Sequence, residues 1–105
     1  MHILFVCSQN KWRSRTAETI FKDRLSVRSA GTERGARVRV TCDLLAWSEV
    51  IFVMEKKHRE RLTATYPEVL IDKTIIVLDI PDEYTYLDAE LIAHLEDVVA
   101  HHLNF

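Results

Sequence analysis

The sequence predicts an α/β fold built on a parallel sheet covered on both faces. Three observations predict it. Short apolar, β-branched runs alternate with amphipathic stretches along the whole chain. Two of those runs, Val50–Met54 and Thr74–Leu78, are apolar without alternation, as strands buried on both sides are. The chain has 105 residues, 48% of them apolar and 29% charged, which fits one globular domain over 1–105 and excludes a disordered chain. Two prolines and two glycines exclude linker-like and collagen-like readings.

Each element has its own signal. His2–Val6 is a short apolar run and reads as a strand. The polar stretch Ser8–Trp12 follows at once. From Ser14 the pattern is helical: Ala17, Ile20, Phe21 and Leu25 share one face, opposite Arg15, Glu18, Lys22 and Asp23. Val27 begins a second strand that Ser29-Ala30-Gly31-Thr32 is expected to break, and Glu33–Arg39 reads as a basic loop. Thr41 caps a short helix carrying Cys42, Leu44, Leu45 and Trp47, with Cys42 expected to be buried. Val50–Met54 is the central strand. Lys56–Ala64 is helical, and Pro67 ends it. Thr74–Leu78 is a further buried strand, and Asp79–Tyr84 an acidic loop. Asp88 caps the last helix, whose stripe is Leu91, Leu95, Val98, Val99 and His102 or Leu103.

In an open parallel sheet, ligands bind at the carboxyl ends of the strands. Three features fall there: Cys7–Ser14, Glu55, and the loop Asp79–Tyr84. The first is the most specific. A cysteine ends a strand and an arginine six residues later opens a helix. A loop of that length can turn its backbone N–H groups inward, backed by the positive end of the helix, and so cradle an anion. Arg13 adds a planar fork matched to two phosphate oxygens. An ordinary thiol is only about 3% thiolate at pH 7. Amides, the helix N-terminus, Arg13 and the Ser14 hydroxyl would all favour a negative sulfur, and equally a bound phosphate. The alternative is a buried structural cysteine.

Val6-Cys7-x-x-Asn10-x-x-Arg13-Ser14, directly after an N-terminal strand, resembles the low-molecular-weight protein tyrosine phosphatases. The likeness continues in Ala17-Glu18-x-x-Phe21, Ser29-Ala30-Gly31-Thr32, Ala36-Arg37 and Val53-Met54-Glu55 with His58. It implies a four-stranded parallel sheet flanked by helices. It implies phosphomonoester hydrolysis, of phosphotyrosine above all, through a cysteinyl-phosphate, with no metal or other cofactor and inorganic phosphate as product. Cys7 is then the nucleophile and Arg13 the phosphoryl-binding cation. Ser8, Gln9, Asn10, Lys11, Trp12, Arg13 and Ser14 form the phosphate-binding loop, with Asn10 holding its shape and Ser14 donating to the Cys7 sulfur. A basic leaving oxygen needs a proton. Where the family has Asp-Pro-Tyr, this chain has Asp82-Glu83-Tyr84, so Asp82 is the expected acid, with Asp79 as its rival. Tyr84 and Tyr86 are either an aromatic wall for the substrate ring or residues packed on the sheet edge. The chain departs from the family at Gln9, Lys11 and Trp12, and in a shorter stretch before the middle strand. Many members have a second cysteine where Trp12 stands.

Two further readings share these residues. Arsenate reduction uses the same loop but a relay of thiols, and only Cys42 accompanies Cys7. A non-catalytic phosphate-binding module would need the cradle alone. The net charge of −2 conceals a basic segment 1–39, at +6, and an acidic remainder, at −8, which suggests an anionic partner for the first part. The partner expected is a phosphorylated protein or a small phosphomonoester, not nucleic acid, since aromatics are not interleaved with the basic residues beyond Trp12. No apolar run reaches the length of a membrane span, and Ile3–Val6 is too short for a signal peptide, so a cytoplasmic protein with no membrane partner is expected. His94, His101 and His102 are expected to be surface residues of the last helix.

Overall fold

The structure is a computed structural model and describes residues 1–104. Its elements run β1 (His2–Cys7), α1 (Arg13–Phe21), β2 (Ser26–Gly31), α2 (Cys42–Trp47), β3 (Val50–Val53), α3 (Lys56–Thr65), β4 (Thr74–Val77) and α4 (Ala89–Leu103). The four strands form one parallel sheet in the order β2-β1-β3-β4. The fold is the α/β arrangement expected.

Period-two alternation along β1 builds a core on each side of the sheet. Ile3, Phe5 and Cys7 face α1 and α4, with Phe21, Leu91, Leu95 and Val99. Leu4 and Val6 face the other way, against Leu45, Leu62 and Leu70. Phe5 lies between Phe21 and Phe52, with ring centroids 5.8 and 5.2 Å away. Such full burial of several aromatic and aliphatic side chains, at about 1.5–3 kcal/mol each, is what holds the strand ends in fixed relation.

Three expectations change. β2 does not break at Ser29 but runs through Gly31, because Ser29, Ala30 and Gly31 keep register with Phe5, Val6 and Cys7. Small residues there reflect a close approach, not a turn. β4 is an edge strand whose Ile75, Ile76 and Val77 are only half-buried, since no strand among the described residues pairs with its outer side. Cys42 is exposed: it is the first residue of α2, and Leu45 is the one that points inward. Thr41 caps α2 as expected, accepting from the Leu44 N–H at 3.1 Å. Asp88 likewise caps α4. No helix among the described residues is long and apolar enough to cross a membrane.

At the carboxyl edge, the loop after β1 is fastened to the loop after β2. Thr32 N donates to Cys7 O, Glu33 N to Ser8 O and Arg37 N to Gln9 O, at 2.9–3.0 Å. Gly31 makes that approach possible. A Cβ there would lie 2.5 Å from Ser8 O, 2.7 Å from Ala36 Cβ and 2.9 Å from Asn10 N. Two of these three neighbours are backbone and cannot rotate away. Gly31→Ala should therefore destabilise the protein by about 2–3 kcal/mol in urea unfolding, as overpacking does. Gly35, with nothing within 4 Å of an added Cβ, is the control, and Gly35→Ala should be close to neutral. Equal midpoints for the two variants would contradict the clamp.

Candidate active site

Asn10 shapes the loop between β1 and α1. It adopts φ 56°, a left-handed conformation that asparagine tolerates better than most residues, and it is fully buried. Its N–H donates to the Cys7 sulfur at 3.2 Å. Its Nδ2 donates to Ser14 Oγ and to Ser29 Oγ, both at 2.8 Å. Its carbonyl accepts from Arg37 Nε at 3.0 Å. Ser29 Oγ in turn donates to Glu18 Oε1 at 2.6 Å, which ties the loop to α1.

The sulfur has a second neighbour. Ser14 Oγ lies 2.9 Å from Cys7 Sγ and 3.3 Å from Ala30 O. Its single hydrogen can serve either. With a neutral thiol, S–H donates to the hydroxyl and the hydroxyl to Ala30 O. With a thiolate, the hydroxyl turns to the sulfur. The site accommodates both states without moving a heavy atom.

Helix α1 starts at Arg13. Trp12 occupies the N-cap position and makes no side-chain cap bond, and the first turn holds no acidic residue. The first N–H groups of the helix are thus left without an internal partner, as an anion-binding helix start requires.

Arg13 is buried. Its Nη1 donates to Glu55 Oε1 and, at 2.8 Å, to Ile80 O. Nη1 is thereby committed, and the Nε–Nη2 edge carries no hydrogen bond within the described residues. Asp82 Oδ1 stands 3.7 Å from Nε. Burial alone would push the Glu55 carboxyl up. The hydrogen bond and charge of Arg13, with Lys57 and His58 behind them, bring it below its ordinary value instead.

These groups surround a cavity of about 200 Å³ lined by Cys7, Ser8, Gln9, Lys11, Trp12, Arg13, Glu33, Lys57 and Asp82. Asn10 and Ser14 lie beneath it as supports. Asp82 faces the cavity; Asp79 lines a separate hollow with Glu55, Lys56, Lys57 and Pro81. Tyr84 and Tyr86 do not line the Cys7 cavity. Tyr84 packs against the α1–α4 core, and Tyr86 bonds Thr19 Oγ1 at 2.9 Å beneath the Arg15 guanidinium. The aromatic at the rim is Trp12, 44% exposed. Sequence reasoning gave no roles to Glu33, Lys57, Ser29 or Glu18, which only the folded loops bring here. Among the described residues, no group of three or more His, Cys, Asp or Glu side chains is placed to hold a metal ion.

Solved structures share this architecture. The low-molecular-weight phosphotyrosine phosphatase from Vibrio cholerae is similar at a TM-score of 0.75 and 20% identity, over 99% of this chain and 97% of that one. Wzb from Vibrio vulnificus, in complex with benzylphosphonate, is similar at 0.69 and 25% identity, over 95% and 92%. The YwlE arginine phosphatase from Geobacillus stearothermophilus is similar at 0.69 and 17% identity, over 98% and 92%. No protein-family sequence model matches the chain, and no curated protein does. The chain has the fold of the low-molecular-weight protein tyrosine phosphatases.

His58, at the start of α3, is pushed down to about 4 from its ordinary 6.5 by burial first and by the Arg13 charge second, against the pull of Glu55 and Asp82. A histidine lowered in the folded state binds its proton more readily when unfolded. Its contribution to stability is present above pH 6.5 and is lost as pH falls towards 4. Between pH 7 and pH 5 that loss is about 2 kcal/mol. The Glu55 contribution has the same sign but its window lies lower, from its ordinary 4.5 downwards. Urea unfolding at pH 7 and pH 5 should show this fall in the wild type and a much flatter response in His58→Asn. Parallel pH responses would place the titration elsewhere.

Proposed function

We propose that the chain belongs with the low-molecular-weight phosphatases in activity as well as fold, and hydrolyses phosphomonoesters through a cysteinyl-phosphate. The observation that carries this reading is the setting of one sulfur. Cys7 Sγ sits at the floor of a cavity, receives the Asn10 N–H, and has a hydroxyl poised to donate to it. A structural cysteine in an apolar core needs neither donor.

The chemistry runs in two steps. The Cys7 thiolate attacks phosphorus while the phosphoryl oxygens rest on the loop amides and the Nε–Nη2 edge of Arg13. The P–O bond to the leaving group breaks, and Asp82 protonates that oxygen. Water then attacks the cysteinyl-phosphate as Asp82 takes its proton. The S–P bond breaks, inorganic phosphate leaves, and the thiolate is restored. Asp82 is favoured over Asp79 because it faces the cavity and stands beside Arg13. Charge stabilisation by preorganised donors is the largest contribution in such sites.

Trp12 supports an aryl phosphate as substrate, since its exposed ring is the flat apolar surface at the rim. The benzylphosphonate held by the Vibrio vulnificus protein is a ligand of that shape. Arsenate reduction has less support, because the second thiol, Cys42, is exposed on α2 and does not line the cavity. A bare binding module has less support, because a carboxylate facing the cavity, that of Asp82, would repel a bound anion rather than hold it.

One kinetic series tests the reading. Cys7→Ser should abolish turnover of aryl phosphates. Asp82→Asn should slow phenyl phosphate by about 10²–10⁴-fold, and nitrophenyl phosphate far less, because a poor leaving group needs the proton most. Asp79→Asn should leave both rates near wild type. A leaving-group-dependent defect in Asp79→Asn alone would reassign the acid. Full activity in Cys7→Ser would remove the covalent mechanism.

A further inference from the structure

α3 opens with a reciprocal cap. The His58 N–H donates to Glu55 O at 3.0 Å, and His58 Nδ1 lies 3.0 Å from Glu55 N. A backbone N–H can only donate, so Nδ1 carries no hydrogen. The ring is buried against the Arg13 cation and is therefore neutral, with its one hydrogen on Nε2. Nε2 is 2.9 Å from Ser8 Oγ. In that bond the serine is the acceptor. Its own hydroxyl hydrogen has no acceptor among the described residues, and Ser8 lines the cavity next to Cys7.

This direction of donation rules out one role. A histidine that gives its proton to serine cannot draw one from it, so the pair is not a nucleophile with its base. It leaves another. We propose that Ser8 Oγ is a side-chain donor to the phosphoryl oxygens, and that His58, reaching in from α3, is the positioning residue that aims it. The proposal rests on the phosphoryl-site reading of the cavity. It adds to the loop amides and Arg13 a donor held by the third strand–helix connection, through residues 50 positions apart. The ligand class is a tetrahedral oxyanion with acceptors on every side. A hydroxyl that both accepts from imidazole and donates to an anion is polarised by the first bond in favour of the second.

Inorganic phosphate binding, followed by calorimetry at pH 7, separates the possibilities without relying on turnover. Ser8→Ala should weaken phosphate roughly tenfold or more, the usual consequence of losing a hydrogen bond to a charged group. Ser8→Thr keeps the hydroxyl and should restore binding. In His58→Asn, Oδ1 can still accept the Glu55 N–H, but the side chain is too short to reach Ser8. It should weaken phosphate no more than Ser8→Ala does, and the double variant should bind as Ser8→Ala alone, because His58 acts only through Ser8. Nitrogen NMR of wild-type His58 should show the Nε2–H tautomer, with that proton shifting when phosphate is added. Equal phosphate affinity in wild type and Ser8→Ala would overturn the donor and leave the cradle standing. Additive losses in the double variant, or an Nδ1–H tautomer, would overturn the role of His58. A wild type that binds no phosphate would overturn the cradle and this proposal together.

Discussion

The left-handed turn at Asn10 is the constraint on which the site depends. Five residues separate the end of β1 from the start of α1. To connect them, the chain must reverse tightly enough to bring the Asn10 N–H onto the Cys7 sulfur. Asn10 does this by taking φ 56° and spending its N–H, its carbonyl and both amide hydrogens on four different partners. Its Oδ1 is buried with no partner among the described residues. An unpaired buried acceptor costs about 1–3 kcal/mol. The sheet carries that cost, because each of its two cores fixes one side of the strand that delivers Cys7. Strain held at a site by a stable scaffold is a common arrangement where groups must be preorganised.

Electrostatics follow from that geometry. Arg13 is a buried cation, and an unpaired one would be expensive. Glu55 neutralises it, and with Ile80 O fixes Nη1. The pair costs the cavity some of its attraction for anions, since one carboxylate already offsets the guanidinium. In return the Nε–Nη2 edge is held in one orientation. Neutral donors supplement it: the Asn10 N–H and the Ser14 hydroxyl at the Cys7 sulfur, and the uncapped first turn of α1. Such groups bind charge without changing the net charge of the site, and they keep their strength in a partly dry cavity.

Much of this was legible in the sequence, for reasons of range. The alternation of strands and helices, the caps at Thr41 and Asp88, and the loop from Cys7 to Ser14 all depend on residues within about one helical turn or strand of each other. Such local rules are the ones sequence carries best. The misreadings have the opposite character. Ser29–Gly31 looks like a break because small polar residues disfavour strands, yet tertiary contact with the 8–10 loop is what demands them. The isoleucines of β4 read as fully buried, although strand order, which no local pattern encodes, puts them at an edge. Tyr84 and Tyr86 sit in the right loop but turn towards α1 and the core. His58 was visible only as a matching letter, because its partner, Ser8, is 50 residues away.

The same division between near and far explains how the site can tolerate a changed sequence. At the sulfur stand one backbone amide, that of Asn10, and the Ser14 hydroxyl, and a few side chains fix the loop around them: Asn10, Arg13, Ser14 and Ser29. Gln9, Lys11 and Trp12 lie between those fixed points and line the rim, Gln9 with its Nε2 donating to Glu33 Oε2 at 3.2 Å. Substitutions there alter what can approach the cavity without altering the turn beneath it. Trp12 has room at the rim for this reason: as N-cap residue of α1 it makes no side-chain cap bond, and its ring is left for the cavity. On the proposed phosphatase reading, Lys11, Trp12, Glu33 and Lys57, which line the cavity, would carry selectivity, while the turn beneath them would carry the capacity to hold a phosphoryl group.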